Sequence, residues 1–296
     1  MTISTATVDD LRDLKRIAAS ALPHDRDAAD VIDLLWSSPT SRPELRVAAP
    51  VDGAIAGFAL ASLRESDLGR TGHIDLIAVA PEHQSRGLGR ALLAKTEERL
   101  RAVGAERLLL GGNTPFFAWP GIDTRYTRAV CMATACGYKQ VRHGVNMSVD
   151  LARAPLATSD DKARLGEAGI EIRRLCRADL AEFEVWAKGW GGTWASEAAR
   201  AVAHEPARIH VAVRDGAYVG FACYGVNRRT WFGPMGTDAT ERGRGIGAVL
   251  LRECLADLRA EGADTAEIAW VGPVHFYART LGAELARIFW IYEKAA

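Results

Sequence analysis

The chain has 296 residues, 48% of them hydrophobic, enough for two domains that each build their own core. Its 37 basic and 37 acidic residues cancel, which argues against nucleic acid or an anionic membrane as the main partner. No apolar run approaches the length of a membrane span and the N-terminus lacks a signal-peptide pattern, so a cytoplasmic location is expected. The five cysteines (Cys131, Cys136, Cys176, Cys223, Cys254) are odd in number and unpaired in spacing, and read as reduced, mostly buried thiols. The seven histidines are scattered and neither HExxH nor CxxC occurs, so no metal is expected.

In chain order, Val8–Ala21 reads as helical, and Asp52-Gly53 joins two apolar stretches in the short-range signature of a hairpin. Ile77–Val79 ends a strand-like run. The turn Gln84-Ser85-Arg86-Gly87-Leu88-Gly89 follows and opens an apolar helix that closes near Gly104. After a polar, small-residue stretch at 151–169, expected to be a linker, the order repeats. Arg177–Trp190 is helical, Asp215-Gly216 joins a second hairpin, and Met235-Gly236-Thr237 precedes Arg242-Gly243-Arg244-Gly245-Ile246-Gly247-Ala248. Gly87 and Gly245 stand 158 positions apart (245 − 87), as do Gly104 and Gly262 (262 − 104). A repeat this long signals duplicated domains, expected at 1–150 and 170–296.

Both turns read Q/R-x-x-G-x-G, and the glycines let successive N–H groups crowd around an anion at the start of a helix. A Walker loop would end in Gly-Lys-Ser/Thr, which neither copy has. A dinucleotide fingerprint needs a parallel βαβ unit, whereas these turns follow hairpins. On these two turns the chain resembles the GCN5-related N-acetyltransferases. The resemblance implies an α/β fold: two tandem domains, each a mixed, mostly antiparallel sheet whose fourth and fifth strands splay apart. It implies acetyl-CoA as co-substrate, with Met235–Thr237 pairing the pantetheine arm and Arg242, Gly243, Arg244, Gly245, Ile246, Gly247 and Ala248 holding the diphosphate. Ile77, Val79, Gln84, Gly87 and Gly89 form a second candidate set in the first copy.

Acetyl transfer to an amine needs a neutral amine, a stabilised oxyanion and a protonated leaving thiolate. In the resembled family a tyrosine after the fifth strand supplies that proton. The second half has one in His275-Phe276-Tyr277-Ala278-Arg279, whereas the first half offers Met132 or Ala133 at the same count from its glycine. The C-terminal domain is therefore expected to be catalytic, with Tyr277 as acid, and the N-terminal domain structural or substrate-shaping. Glu267, in an otherwise apolar strand-like stretch, is the candidate base, with an edge position facing water as the alternative.

Six of the eight tryptophans lie in the second half: Trp186, Trp190, Trp194, Trp231, Trp270 and Trp290. Trp186 and Trp190, four apart, are expected in the core, and Trp194 or Trp231 exposed for ligand stacking. The tandem architecture with Trp270-Val271-Gly272-Pro273 and Phe276-Tyr277 is similar to bacterial glucosamine/glucosaminide N-acetyltransferases, implying an amino-sugar amine as acceptor. Mycothiol synthase, aminoglycoside acetyltransferases and a non-catalytic acyl-CoA sensor remain as alternatives.

Overall fold

A computed structural model describes residues 2–296 and divides them between two units: residues up to Gly144 with Arg287–Ala296, and Val145–Ala286. The elements run β1 (Ser4–Thr5), α1 (Leu11–Ala21), α2 (Ala28–Trp36), β2 (Ser41–Val51), β3 (Ala54–Ser66) and β4 (Gly69–Val79). Next come α3 (Leu88–Ala102), β5 (Arg107–Leu110), β6 (Ile122–Asp123), α4 (Thr127–Ala135) and β7 (Lys139–Asp150). The second half begins with α5 (Ser159–Glu167), β8 (Ile170–Arg174), α6 (Leu180–Ala187), α7 (Trp194–Val202), β9 (Ile209–Arg214) and β10 (Ala217–Tyr224). It ends with β11 (Trp231–Thr237), α8 (Ile246–Ala260), β12 (Thr265–Ile268), α9 (Val274–Leu281) and β13 (Glu284–Ala295).

The 158-residue offset seen in the sequence governs the backbone. Val79 and Thr237 end their strands, α3 and α8 start and stop in register, and β5 and β12 follow at the same spacing. Both Asp-Gly pairs form turns with positive φ at both residues (51° and 83° at Asp52-Gly53; 50° and 78° at Asp215-Gly216), matching the strand twist. Gly87 and Gly245 cap α3 and α8 in the left-handed region, at φ 86° and 89°. Behind each cap the apolar residues recur at helical spacing: Leu88, Leu92, Leu93 and Leu100 in α3, and Ile246, Val249, Leu250, Cys254 and Leu258 in α8 are all buried.

In the first unit the sheet runs β1-β2-β3-β4-β5, antiparallel except for the β4–β5 pair, and β13 closes it through Tyr292↔Leu110 to Ala295↔Arg107. In the second it runs β8-β9-β10-β11-β12, closed by β7 through Met147↔Ile268 to Asp150↔Thr265, with β11–β12 parallel.

Each unit thus takes its last strand from the other half of the sequence, and the expected boundaries at 150 and 170 move accordingly. Alternating apolar residues mark a strand but not the sheet edge it joins. The expected linker 151–169 is ordered: α5 occupies nine of its nineteen residues, and Leu156 and Leu165 are buried in the second unit's core. All five cysteines are free, but only Cys223 and Cys254 are buried, fewer than expected, because Cys131 and Cys176 stand on solvent-facing positions.

Trp231, expected to be exposed, is 4% exposed: β11 lies between β10 and β12, and the Arg228 guanidinium sits 4.9 Å from the Trp231 ring. Trp194 is half-buried and stacks on Trp190 (5.6 Å, 25°). With Trp186, Phe183 and Phe221 these rings form one aromatic cluster in the core of α6, α7 and β10.

Candidate functional site

In the first unit β4 and β5 stay paired from Thr71↔Arg107 to Ile74↔Leu110 and then separate. Beyond that point β3 still holds one edge of β4 (Leu60↔Leu76 to Gly57↔Val79), leaving the other edge open from Asp75 to Val79. The β5 chain turns away at Gly111, where a side chain would run into the Pro120 carbonyl at 2.7 Å, and Gly112 N–H donates to Trp119 O (2.8 Å). The aromatic stretch 113–120 is thereby folded back on itself.

The separation opens a cavity of about 830 Å³, lined by Ile74–Val79, the glycine turn at Gln84–Gly89, Arg90, and the start of α4. The turn is tied to both flanking elements: Gln84 Nε2 donates to Val79 O (2.9 Å), and Arg128 Nη1 donates to Gln84 Oε1 (3.0 Å). Nothing lies within 4 Å of the position a Cβ on Gly87 would take, so the turn faces open space at the N-terminus of α3. The N-terminus of α3, with Arg90 and Arg128 beside it, gives this end of the cavity a positive lining of the kind that suits an anion.

Asp75 projects at this gap. The β3–β4 register slips between Leu60↔Leu76 and Ala61↔Ile74, leaving Asp75 as the extra residue of a bulge, a device that re-aims a side chain. Among the described residues its Oδ1 is buried without a hydrogen-bond partner. Burial pushes its carboxyl up to about 7, against hydrogen bonds from the Ser62 hydroxyl and the Asn113 N–H. His73, two residues earlier, is 3% exposed and sits 3.2 Å from Gly111 O through Nδ1. Burial and the Arg64 charge push it down to about 4, so it is neutral near pH 7 and a poor proton acceptor.

At the far end of the cavity stand Trp119, Asp123, Arg125, Tyr126 and His24. The Tyr126 hydroxyl donates to Asp25 Oδ2 (2.7 Å) and accepts from His24 N–H (3.2 Å). Trp119 Nε1 and Arg287 Nη2 donate to Asp25 Oδ1 at 3.0 and 2.9 Å, and Arg287 Nε donates to Asp123 Oδ2 at 2.8 Å. Burial, then the Asp25 hydrogen bond and charge, raise the Tyr126 phenol well above its usual range.

The second unit repeats this frame with different side chains. β11 and β12 separate after Phe232↔Ile268. At the 158-residue offset, Gly233 stands for Asp75 and Pro234 for Leu76, so this strand has neither the carboxylate nor the N–H at those positions. The Arg164 guanidinium lies over the turn, Nη2 3.0 Å from where a Cβ on Gly245 would be, and donates through Nη1 to Arg244 O (3.1 Å). The Trp190 ring fills the space beside Gly236, 2.8 Å from its would-be Cβ, and Met235 and Phe276 close on Gly247 from another side. Arg242 Nε reaches Thr237 O at 3.4 Å, in the manner of Gln84.

The remaining expected site residues fall in this unit. Tyr277 is buried in α9, packed edge-on against Phe232 and Phe276, and burial pushes its phenol up to about 12. Glu267 lies on β12 between β11 and β7, inside the sheet rather than at its edge, and accepts from Asn146 Nδ2 at 2.5 Å. The same Asn146 accepts the Trp270 N–H (2.9 Å) where the chain takes a positive φ of 53°. Met235–Thr237 and Arg242–Ala248 lie along the strand end and turn, as their spacing implies.

Sequence reasoning passed over Asp75, Asp25, Asp123 and Arg287 as site residues. An acid inside the apolar run His73-Ile74-Asp75-Leu76-Ile77 was a usable signal, sharpened by Gly233-Pro234 at the same offset. Nothing in the sequence joins Asp25 to Arg287 across 262 positions.

Comparison with known proteins places two matches to the acetyltransferase (GNAT) family on this chain, at residues 11–116 and 173–283. Comparison with curated proteins gives no match. Among solved structures, the glucosamine N-acetyltransferase region of a fungal multi-domain GH3 β-N-acetylglucosaminidase superposes with a TM-score of 0.79 at 19% identity. It covers 99% of this chain, which spans only 38% of that protein's length. A tandem GNAT protein from the clavulanic acid biosynthesis pathway gives 0.71 at 19% identity, covering 99% of this chain and 98% of its own. A GCN5-related N-acetyltransferase from Sphaerobacter thermophilus gives 0.69 at 20% identity, with 99% and 95% covered.

Proposed function

Because the chain belongs to the acetyltransferase (GNAT) family, we propose that it is an acetyl-CoA-dependent N-acetyltransferase for a small-molecule primary amine. Its working cleft is that of the first unit, and its acceptor is best matched by an amino sugar such as glucosamine. The observation that carries this reading is the open gap between β4 and β5, which has a carboxylate at its bulge and open space over Gly87 at its end. The second unit, with Gly233, Pro234, Trp190 and Arg164 at the corresponding places, serves a structural part.

The residues present fit acetyl-CoA. The turn Gln84–Gly89 with Arg90 and Arg128 takes the diphosphate, and the free edge Asp75–Val79 takes the amides of the pantetheine arm. When bound, acetyl-CoA supplies an activated acyl carbon. The chain's own contribution is proton handling and charge stabilisation. With its carboxyl near 7, Asp75 is a matched base for removing the proton from an incoming ammonium. Backbone N–H groups on the free edge of β4 are fixed donors for the negative charge that builds on the carbonyl oxygen. Tyr126 is a poor proton donor, because its proton is already engaged with Asp25.

The amino-sugar assignment draws on the fungal glucosamine N-acetyltransferase region and on the uncharged balance of the acceptor end, where two arginines meet two carboxylates. Calorimetric titration with acetyl-CoA, followed by thiol release on adding glucosamine, tests it. One bound acetyl-CoA with amine-dependent thiol release is expected. Binding without release from any amine would instead identify an acyl-CoA sensor.

A further inference from the structure

Behind the acceptor wall lies a charge network that the transfer step does not use. Asp25 and Arg287 are 2% and 5% exposed, and Asp123 is 2% exposed. Arg287 bridges the two carboxylates, and its guanidinium lies 4.8 Å from the Phe289 ring. Arg125 holds the other side of Asp123 through Nε and Nη2, at 3.1 and 2.7 Å. Burial opposes the charge on Asp123, but the Arg125 and Arg287 bonds outweigh it and hold its carboxyl below the ordinary value. Two cations thus satisfy two buried carboxylates, the arrangement in which a desolvated pair is tolerated.

The network fixes the direction of one hydrogen bond. A carboxylate only accepts, so with Trp119 and Arg287 donating to Oδ1, Asp25 Oδ2 receives the Tyr126 hydroxyl proton. The Tyr126 oxygen takes one further bond from His24 N–H and keeps acceptor capacity toward the cavity it lines. We propose that Arg287 is a positioning residue for the acceptor. By pairing with Asp25 it commits the Tyr126 proton inward and leaves the phenol oxygen as a hydrogen-bond acceptor for an N–H or O–H group of the incoming molecule. The inference rests on the first-unit reading of the site. It selects ligands that carry a donor beside the reacting amine, as an amino sugar does in its hydroxyls.

Asp25→Asn tests the direction of the bond while conserving shape. The amide oxygen can still accept from Trp119 and Arg287, but its Nδ2 donates toward Tyr126 and turns the phenol proton to the cavity. Removing the carboxylate also lets that phenol ionise at lower pH. Full-length wild type, Asp25→Asn, Tyr126→Phe and Arg287→Lys are compared by initial rates of thiol release over a panel of amino sugars. Phenol titration is followed by ultraviolet absorbance. In Tyr126→Phe and Asp25→Asn, kcat/KM for the amine is expected to fall about tenfold, carried by the amine KM, with the acetyl-CoA KM within about twofold. One tyrosine of Asp25→Asn titrates earlier than in wild type, and that shift is absent from the Asp25→Asn, Tyr126→Phe double variant. Arg287→Lys, which keeps the charge but cannot span both carboxylates, shows the same KM change in weaker form.

Unchanged amine KM in both Tyr126→Phe and Asp25→Asn, with thiol release still dependent on Asp75, overturns the inference alone. Failure of every amine to release thiol overturns the first-unit reading and the inference with it.

Discussion

The two units share a backbone and differ in what fills it. Gly87 and Gly245 have the same left-handed φ, the same fifteen-residue helix behind them and the same strand end before them. Above Gly87 there is open space; above Gly245 there is a guanidinium. Beside β4 the sheet parts around a carboxylate, whereas beside β11 the equivalent places hold Gly233 and Pro234, with Trp190 packed on Gly236. A duplicated frame therefore preserves the turn in form while the side chains around it differ. A glycine turn at a helix N-terminus favours an anion, but the space over it determines its use.

The sharpest way to break this contrast is Asp75→Asn. The amine-dependent rate is expected to drop by about 10²–10³, and the rise of kcat/KM through about pH 7 is expected to disappear. The stability sign is fixed too. The Asp75 carboxyl in the folded chain lies near 7, above its ordinary value of 3.8, so the folded state holds that proton more tightly than the unfolded chain. Its stabilising contribution is full below about pH 4 and is lost as pH rises through about 7. Asp75→Asn, which cannot ionise, should therefore gain stability relative to wild type from pH 4 to 8, as chemical denaturation at several pH values would show. A flat difference would remove the reason for assigning Asp75 as the base.

Next in size is the glycine pair. Gly87→Val and Gly245→Val impose similar backbone strain, since both positions have φ near +86° to +89°, so strain cancels in their comparison. Gly87→Val is expected to weaken acetyl-CoA binding by roughly 10- to 100-fold by calorimetry, and Gly245→Val by less than about twofold. The reverse order would make the second turn the working cradle.

The smallest effect is expected at Tyr277. With its phenol pushed up to about 12 by burial and its ring packed on Phe232, Tyr277→Phe should change kcat by less than about twofold. A loss of 10²–10⁴ in kcat with the fold intact would return the chemistry to the second unit.

Much of this frame was legible beforehand. The 158-residue offset, the two Asp-Gly hairpins and the two turn-plus-helix units follow from residues whose local conformational demands are strict: positive φ at Gly, apolar spacing along one helix face. The resemblance those turns carry agrees with the family matches on both halves. The Phe276-Tyr277 segment was equally legible, but its burial was not, because a motif states which side chain is present and not what packs over it. Trp231 illustrates the same limit: an indole reads the same in sequence whether it stacks on a ligand or is 4% exposed on a central strand.

The sequence by itself determined the duplication, the mixed α/β class and the left-handed glycine turns that open α3 and α8, since these rest on patterns among residues near one another in the chain. Only the tertiary structure decided which strands close each sheet, which side chains stand over each turn, and that Asp25, Asp123, Tyr126 and Arg287 meet. The physical reason is that strand pairing and buried charge networks are long-range. The partners of Arg287 lie 262 and 164 positions away, and no local pattern along the chain records a contact closed by folding over such distances.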